Sequence, residues 1–304
     1  MIFSYTLMYT YAENIIRRLM GDVMKKVAIL SDSTAYLPQS IVDDLGIHII
    51  PLTLHWDGKT YRDGIDITPD ECYARMAEVD TIPTTSQATV GEFTEAYQKL
   101  LDQDYAVMTL VISSGISGTV ESAFQAKAEF GDAPIEVIDT KLVSMALGFM
   151  LMTVGRAAKD GASLAECRDL VHDTYSKIGV YFTVDTLKYL NKGGRINTAK
   201  RLLGSALNIK PLMEIRDGKI ELVESVISRK KAMHRMLELA ERDIAGREPV
   251  RISTFHAAAE KDNETLMAAA IERFNPVETV KSYVSPVIGS HTGPGTLSLA
   301  YMAG

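Results

Sequence analysis

The chain has 304 residues, 46% of them hydrophobic and 23% charged, enough for two domains with their own cores. Its formal net charge of −7 leaves no basic surplus to neutralise phosphates, which speaks against general nucleic-acid binding. The two cysteines, Cys72 and Cys167, lie far apart without metal-type or redox spacing and read as plain buried thiols of a reducing cytoplasm.

At the N-terminus, "MIFSYTLMYTYAENIIRRLMGDVMKK" is interrupted by Glu13, Arg17 and Arg18, and its basic residues follow the apolar part. A signal peptide has the reverse order, and a spanning helix needs about 20 nearly uninterrupted apolar residues. Residues 1–24 are therefore expected to be an extension outside the fold. "VAILSD" then reads as a strand, "PQSIVDDLG" as a helix closed by Gly46, and "IHIIPLTLHW" as a second strand. A polar excursion leads to a helix opened by Thr68 and Pro69. "TVGEFTEAYQKLL" is an amphipathic helix, and "YAVMTLVI" and "PIEVID" are continuous apolar strands, each followed by a helix. Strands apolar on both faces that alternate with helices imply a parallel sheet covered on both sides. "LVSMALGFMLMTVG" is too short to span a membrane and reads as a buried helix with Met145, Met150 and Met152 in the core.

Past "CRDLVHDTYSKI" the rhythm changes. "GVYFTV" is a strand, and "LKYLNKGGRINTAKRLLGSALNI" a helix, a glycine turn and another helix. "KPLMEIRDGKIELVESV" is a hairpin turning at Asp217 and Gly218. A helix from Arg229, the strand "VRISTFHA", a helix and two further strands finish the chain. The expected fold is α/β with two closely packed domains: a parallel α/β/α domain over residues 25–174 and a smaller mixed α/β domain over 175–304.

Ligand sites in parallel sheets lie at the carboxyl ends of strands. "SDST" (31–34), "SSGISGT" (113–119) and "DTKLVS" (139–144) all fall there. In "VISSGISGT", small residues let the backbone turn and leave amide groups pointing outward, and the helix that follows adds its positive dipole end. That is a place for an anion. Familiar catalytic devices are near misses. "GISG" lacks the second glycine of a nucleophile elbow, where Thr119 stands. No Walker-type phosphate loop or dinucleotide fingerprint occurs, and the six histidines show no zinc spacing. Hydroxyls remain: "TTSQ" (84–87), Ser113, Ser114, Ser117 and "SHTGPG" (290–295). Neutral donors converging on one point hold an anion, and no base is visible beside them. Each has a plainer reading. Ser117 alone could be a helix cap, "PTTSQ" a turn and cap, His291 a satisfied core or surface histidine, and "KGGRI" a turn with solvated charges.

Together, "VAILSDSTAYLP", "IPLTLHWDGKTYRDG", "PTTSQATVGEF", "SSGISGTVESA", "VIDTKLVSMALG", "LKYLNKGGRI" and "SPVIGSHTGPG" occur in the order and spacing of one family. The chain closely resembles the DegV family, bacterial fatty-acid-binding proteins that serve as lipid-carrying subunits of fatty acid kinase, from about Lys25 to the C-terminus. The resemblance implies a cytoplasmic, non-catalytic protein of phospholipid metabolism, with no cofactor and no metal. It would bury one long-chain fatty acid and present the carboxylate to a separate kinase subunit for ATP-dependent acyl phosphate formation. The family's carboxylate-binding positions fall on Thr85, Ser117 and His291, with Ser86 and Gly118 beside them. Arg195 and Arg229 match basic positions near the pocket mouth, and Lys230 adjoins the second. Ala88 departs from the family, which usually has proline there. The alternatives are a serine-type esterase or small phosphotransferase working at the Ser117 loop, and a scaffold whose hydroxyl motifs are only caps.

Overall fold

The computed structural model describes residues 25–204 and 209–304. The expected extension over residues 1–24 lies outside the described residues, as do residues 205–208 within "RLLGSALNI". Strand β1 (Val27–Asp32) is buried along its whole length. Asp32 ends it by accepting the Thr34 N–H and hydroxyl at 2.8 and 2.5 Å, which opens a 3-10 turn over Ser33–Ala35. Helix α1 (Gln39–Leu45) stops at Gly46, whose φ of 61° suits the left-handed cap. "IHIIPLTLHW", expected as one strand, forms two: β2 (His48–Ile50) and β3 (Thr53–Trp56). Pro51 has no N–H to give a ladder, and the chain changes sheets there.

Strand β3 pairs antiparallel with β4 (Lys59–Arg62) and, after helix α2 (Pro69–Glu78), with β5 (Thr84–Ser86). The polar segments "KTYR" and "TTS" carry no apolar alternation, so a periodicity reading passes over both. "PTTSQ" is thus a strand, not the cap of the next helix, α3 (Val90–Leu101). That cap is Thr89, whose side chain and Glu92 form a capping box. Strand β6 (Ala106–Val111), helix α4 (Thr119–Ala128) and strand β7 (Ile135–Asp139) complete a four-stranded parallel sheet in the order β2-β1-β6-β7. Strand order reverses between β1 and β6, so a crevice opens beyond their carboxyl ends.

Helix α5 (Ser144–Lys159) follows, with eleven of its sixteen residues buried, Met145, Met150 and Met152 among them. A helix apolar on all sides needs cover on all sides. It packs against β1 on one side and, on the other, against two strands of a second sheet. After helix α6 (Leu164–Tyr175), that sheet begins with β8 (Ile178–Thr183). Helix α7 (Lys188–Lys192) is followed by a 3-10 helix over Asn197–Leu202 where a second α-helix was expected. The hairpin of β9 (Lys210–Arg216) and β10 (Lys219–Val226) turns at Asp217 and Gly218, with φ of 50° and 77°. Helix α8 (Arg229–Ile244), strand β11 (Val250–His256), helix α9 (Glu260–Phe274) and strand β12 (Glu278–Tyr283) lead to helix α10 (Pro286–Thr292) and strand β13 (Leu297–Ala303). The sheet order is β10-β9-β8-β13-β11-β12, parallel only between β11 and β12. Helix α10 is an addition to the expected elements, although its cap Ser285 and first-turn Pro286 are the usual opening signals.

Both cysteines are buried free thiols, as their spacing suggested. Among the described residues no helix is long and apolar enough to cross a membrane.

Candidate functional site

Three short segments from distant parts of the chain build one polar pocket. Strand β5 supplies Thr85 and Ser86, the turn before α4 supplies Ser117 and Gly118, and α10 supplies His291, with Arg195 alongside. Thr85 Oγ1 lies 2.8 Å from His291 Nε2, a hydrogen bond across 206 residues of sequence. Six of the seven expected site residues therefore line one pocket. Arg229 is elsewhere: its guanidinium donates to Asp262 at 2.9 Å and to the Gly295 carbonyl, with Asp185 at 3.7 Å. Lys230, beside it, is exposed.

The serines of "VISSGISGT" diverge. Ser113 donates to the Gly218 carbonyl at 2.8 Å, which docks this loop on the β9–β10 turn. A Cβ at Gly115 would lie 2.4 Å from that same carbonyl, so only glycine fits the contact. Ser114 donates to Asp139, which also holds Lys141. Only Ser117 faces the pocket. Its Oγ accepts the Thr119 N–H at 3.3 Å and lies 2.9 Å from the Thr119 hydroxyl, a local turn just ahead of α4, whose N-cap is Gly118 with no side-chain cap bond. A Cβ at Gly118 would meet the Gln87 amide at 2.1 Å, and Gln87 in turn donates to Ser122 at 2.8 Å. This contact ties the end of β5 to α4. Ala88, buried at 1% exposure, follows directly.

Burial, with help from the positive Arg195, pushes the His291 pKa down to about 4, so the ring is neutral at pH 7. Its Nδ1 is buried without a hydrogen-bond partner and faces Gly193, where a Cβ would come within 2.2 Å. "KGGRI" is thus more than a solvated turn: Gly193 makes room for the histidine. Arg195 donates to the carbonyls of Ile116 and Gly193 at 3.3 and 2.5 Å, which holds its charge at the mouth. At the start of α10 stands Asp63, a residue the sequence reading missed inside "YRDGID". It accepts the Ser33 hydroxyl at 2.7 Å and the Val287 N–H at 3.4 Å, joining the end of β1 to the first turn of α10. Burial raises its pKa to about 7.

The polar pocket adjoins an apolar cavity between the second sheet and the segments at Ile116, Val143 and Ser144, and Ile116, Arg195, Ile288 and His291 line both. The cavity has about 540 Å³ of space free of protein atoms, mouth included. Val180, Phe182, Phe255 and Val284 from the second sheet and its loops form much of its wall. Chemically, neutral donors at one end and hydrocarbon at the other suit a ligand with one anionic head and a long apolar body. They do not assemble a serine–histidine relay. His291 bonds Thr85 rather than Ser117, and its Nδ1 has no carboxylate to orient it. Among the described residues no cluster of His, Cys, Asp and Glu could hold a metal.

A parallel sheet and a separate mixed sheet, with a polar pocket and an apolar cavity that share four wall residues, define a two-domain α/β protein. The chain belongs to the DegV family, whose model, described as an uncharacterised protein family, matches residues 26–304. A DegV domain-containing protein of Listeria innocua is 34% identical over 278 residues, covering 91% of this chain and 98% of the relative. A DegV family protein from Thermus thermophilus, whose structure is described as fatty-acid binding, is 31% identical with a TM-score of 0.87, over 91% of this chain and 99% of that one. DegV of Bacillus subtilis, described as a fatty acid binding protein, is 31% identical with a TM-score of 0.85, over 92% of this chain and 100% of that one.

Proposed function

We propose that this protein binds one long-chain fatty acid and presents its carboxylate to a separate kinase subunit, which forms the acyl phosphate from ATP. The observation that carries the reading is the continuity of the two spaces: Ile116, Arg195, Ile288 and His291 belong to the wall of both the polar pocket and the apolar cavity. The carboxylate sits on Thr85, Ser117 and a neutral His291 donating from Nε2, while the acyl chain runs along the apolar cavity. A carboxylate taken out of water needs several donors, because an unpaired buried charge is costly. The fatty-acid-binding descriptions of the Thermus and Bacillus proteins support the same ligand class.

The protein is a non-catalytic cytoplasmic carrier of phospholipid metabolism in this reading, and the kinase partner brings the nucleotide site. Arg195, at the mouth, and the exposed Lys230 are the basic groups offered to that acidic partner. Arg229, held by its own carboxylates, steadies the loop after α10 instead. The domain boundary is placed near residue 174. The test is organic extraction of purified protein followed by mass spectrometry. One equivalent of free fatty acid is expected. Preparations that come out empty and also refuse added fatty acid would refute the reading. With ATP, Mg²⁺ and fatty acid but no partner, no acyl phosphate should form.

A further inference from the structure

Two serine hydroxyls stand in the wall of the apolar cavity. Ser144 and Ser298 both line it, at 5% and 2% exposure, and neither side chain has a hydrogen-bond partner among the described residues. The other hydroxyls of the wall are satisfied: Thr296 donates to the Gly293 carbonyl at 2.6 Å and Thr292 to the Ile288 carbonyl at 3.4 Å. Ser298 pairs in register with Phe182 on β8 and with Phe255 on β11, so it is a polar point on an otherwise aromatic patch of sheet. Ser144 opens α5, and the preceding Val143 supplies no side-chain cap. The first bond into that end is Leu147 N–H to the Val143 carbonyl, and no acceptor is present for the N–H groups of Ser144, Met145 and Ala146 among the described residues. A buried helix start normally finds such partners in the protein or in a ligand.

We propose that these groups form a second polar subsite along the acyl path, which takes an oxygen atom carried on the chain: a hydroxy- or oxo-fatty acid. This rests on the fatty-acid reading of the site. The head pocket accepts any carboxylate, whereas the serine hydroxyls and the α5 amides select chains that bring an acceptor to them. The dipole of the sixteen-residue helix favours the same partially negative oxygen. A plain polymethylene laid along this wall leaves the donors unpaired, and a buried unpaired donor is unfavourable.

The experiment compares octadecanoic acid with octadecanoic acids hydroxylated at carbon 3, 10 or 12, and with a 10-oxo acid, by competition against a fluorescent acyl probe on delipidated full-length protein. At least one mid-chain oxygenated acid should bind about 10-fold more tightly than octadecanoic acid, the equivalent of one well-made hydrogen bond. Ser298→Ala should remove that preference, bringing the oxygenated acid and octadecanoic acid to equal affinity. Ser144→Gly should do the same, since the φ of 51° at this position suits glycine. Ser253→Ala is the control: Ser253 is another buried serine without a partner, but it does not line the cavity, and its loss should keep the preference. If every oxygenated acid binds no better than octadecanoic acid, the subsite is refuted while fatty-acid binding stands. If neither series binds, both readings fall.

Discussion

The polar pocket and the apolar cavity are neighbours that share four wall residues, yet they are built in opposite ways. The pocket is made of a few polar side chains on short elements, β5, α10 and the turn before α4, each pinned by a specific contact. The cavity is made of ordinary strand residues whose side chains do not meet in the middle. One depends on donors placed to within a fraction of an ångström. The other depends on area. Changing one atom should therefore matter at the mouth, whereas the cavity should respond to the amount of hydrocarbon it receives.

Shortening the ligand tests the cavity and carries the largest effect. Removing six methylenes at about 0.8 kcal/mol each should weaken binding by roughly 5 kcal/mol, on the order of a thousandfold or more, in a calorimetric series. Affinity independent of chain length would mean the chain is not in the apolar cavity. At the mouth, Ser117→Ala and Thr85→Ala should each weaken acid binding by about 10- to 100-fold, and their double-mutant cycle should show coupling, since both serve one carboxylate. The corresponding fatty alcohol should bind more weakly than the acid and lose less in these variants. Because Ser117 also accepts the first N–H of α4, its alanine variant should be about 1 kcal/mol less stable in urea. Lost stability with intact lipid affinity would leave Ser117 with a local structural role alone.

Protons sharpen the comparison next. His291 binds a proton less readily folded than unfolded, since burial lowers its pKa to about 4. Its contribution to stability is complete above the ordinary histidine range and is lost as pH falls from about 6.5 towards 4. Asp63 has the opposite sign. Its pKa, raised to about 7, means the folded state holds the proton more tightly, so its contribution is present in acid and is lost as pH rises through 7. His291→Gln should gain about 2 kcal/mol relative to the parent between pH 7 and pH 5 in urea unfolding, and Asp63→Asn a similar amount between pH 5 and pH 8. Parallel pH profiles in parent and variants would refute both assignments. The smallest effect belongs to Gly118→Ala, which must push Gln87 off Ser122. Acid affinity should fall by about 1 kcal/mol while alcohol affinity holds.

Much of the scaffold can be read from periodicity. The apolar runs of β1, β6 and β7 alternate with helices, the Asp217-Gly218 turn announces its hairpin, and α5 is apolar all round. What escapes is polar or short. Strand β5 carries no alternation, and it holds Thr85 only because the chain leaves the parallel sheet at Pro51, between β2 and β3. The site residues were recognisable as a set of hydroxyls and one histidine, but sequence could not sort them. Ser113 and Ser114 have the same chemistry as Ser117 and are consumed by Gly218 and Asp139. Arg229 looked as free as Arg195 because its partners, Asp185 and Asp262, lie far along the chain. The cavity wall was invisible for a different reason. Val180, Phe182 and Phe255 occupy inward strand positions, and the same letters would fill a solid core equally well.

Helix α5 has a consequence for how the chain is made. Its second apolar face is covered by β8 and by β13, and β13 is synthesised after the other described strands although it lies inside its sheet. While the ribosome is still adding the C-terminal half, the N-terminal half carries a long greasy helix with one side bare. Arrival of β13, not completion of the first domain, covers that face. A chain cut before Leu297 should accordingly be recovered with chaperones or in the insoluble fraction, and a soluble, cooperatively melting fragment would contradict this order of assembly.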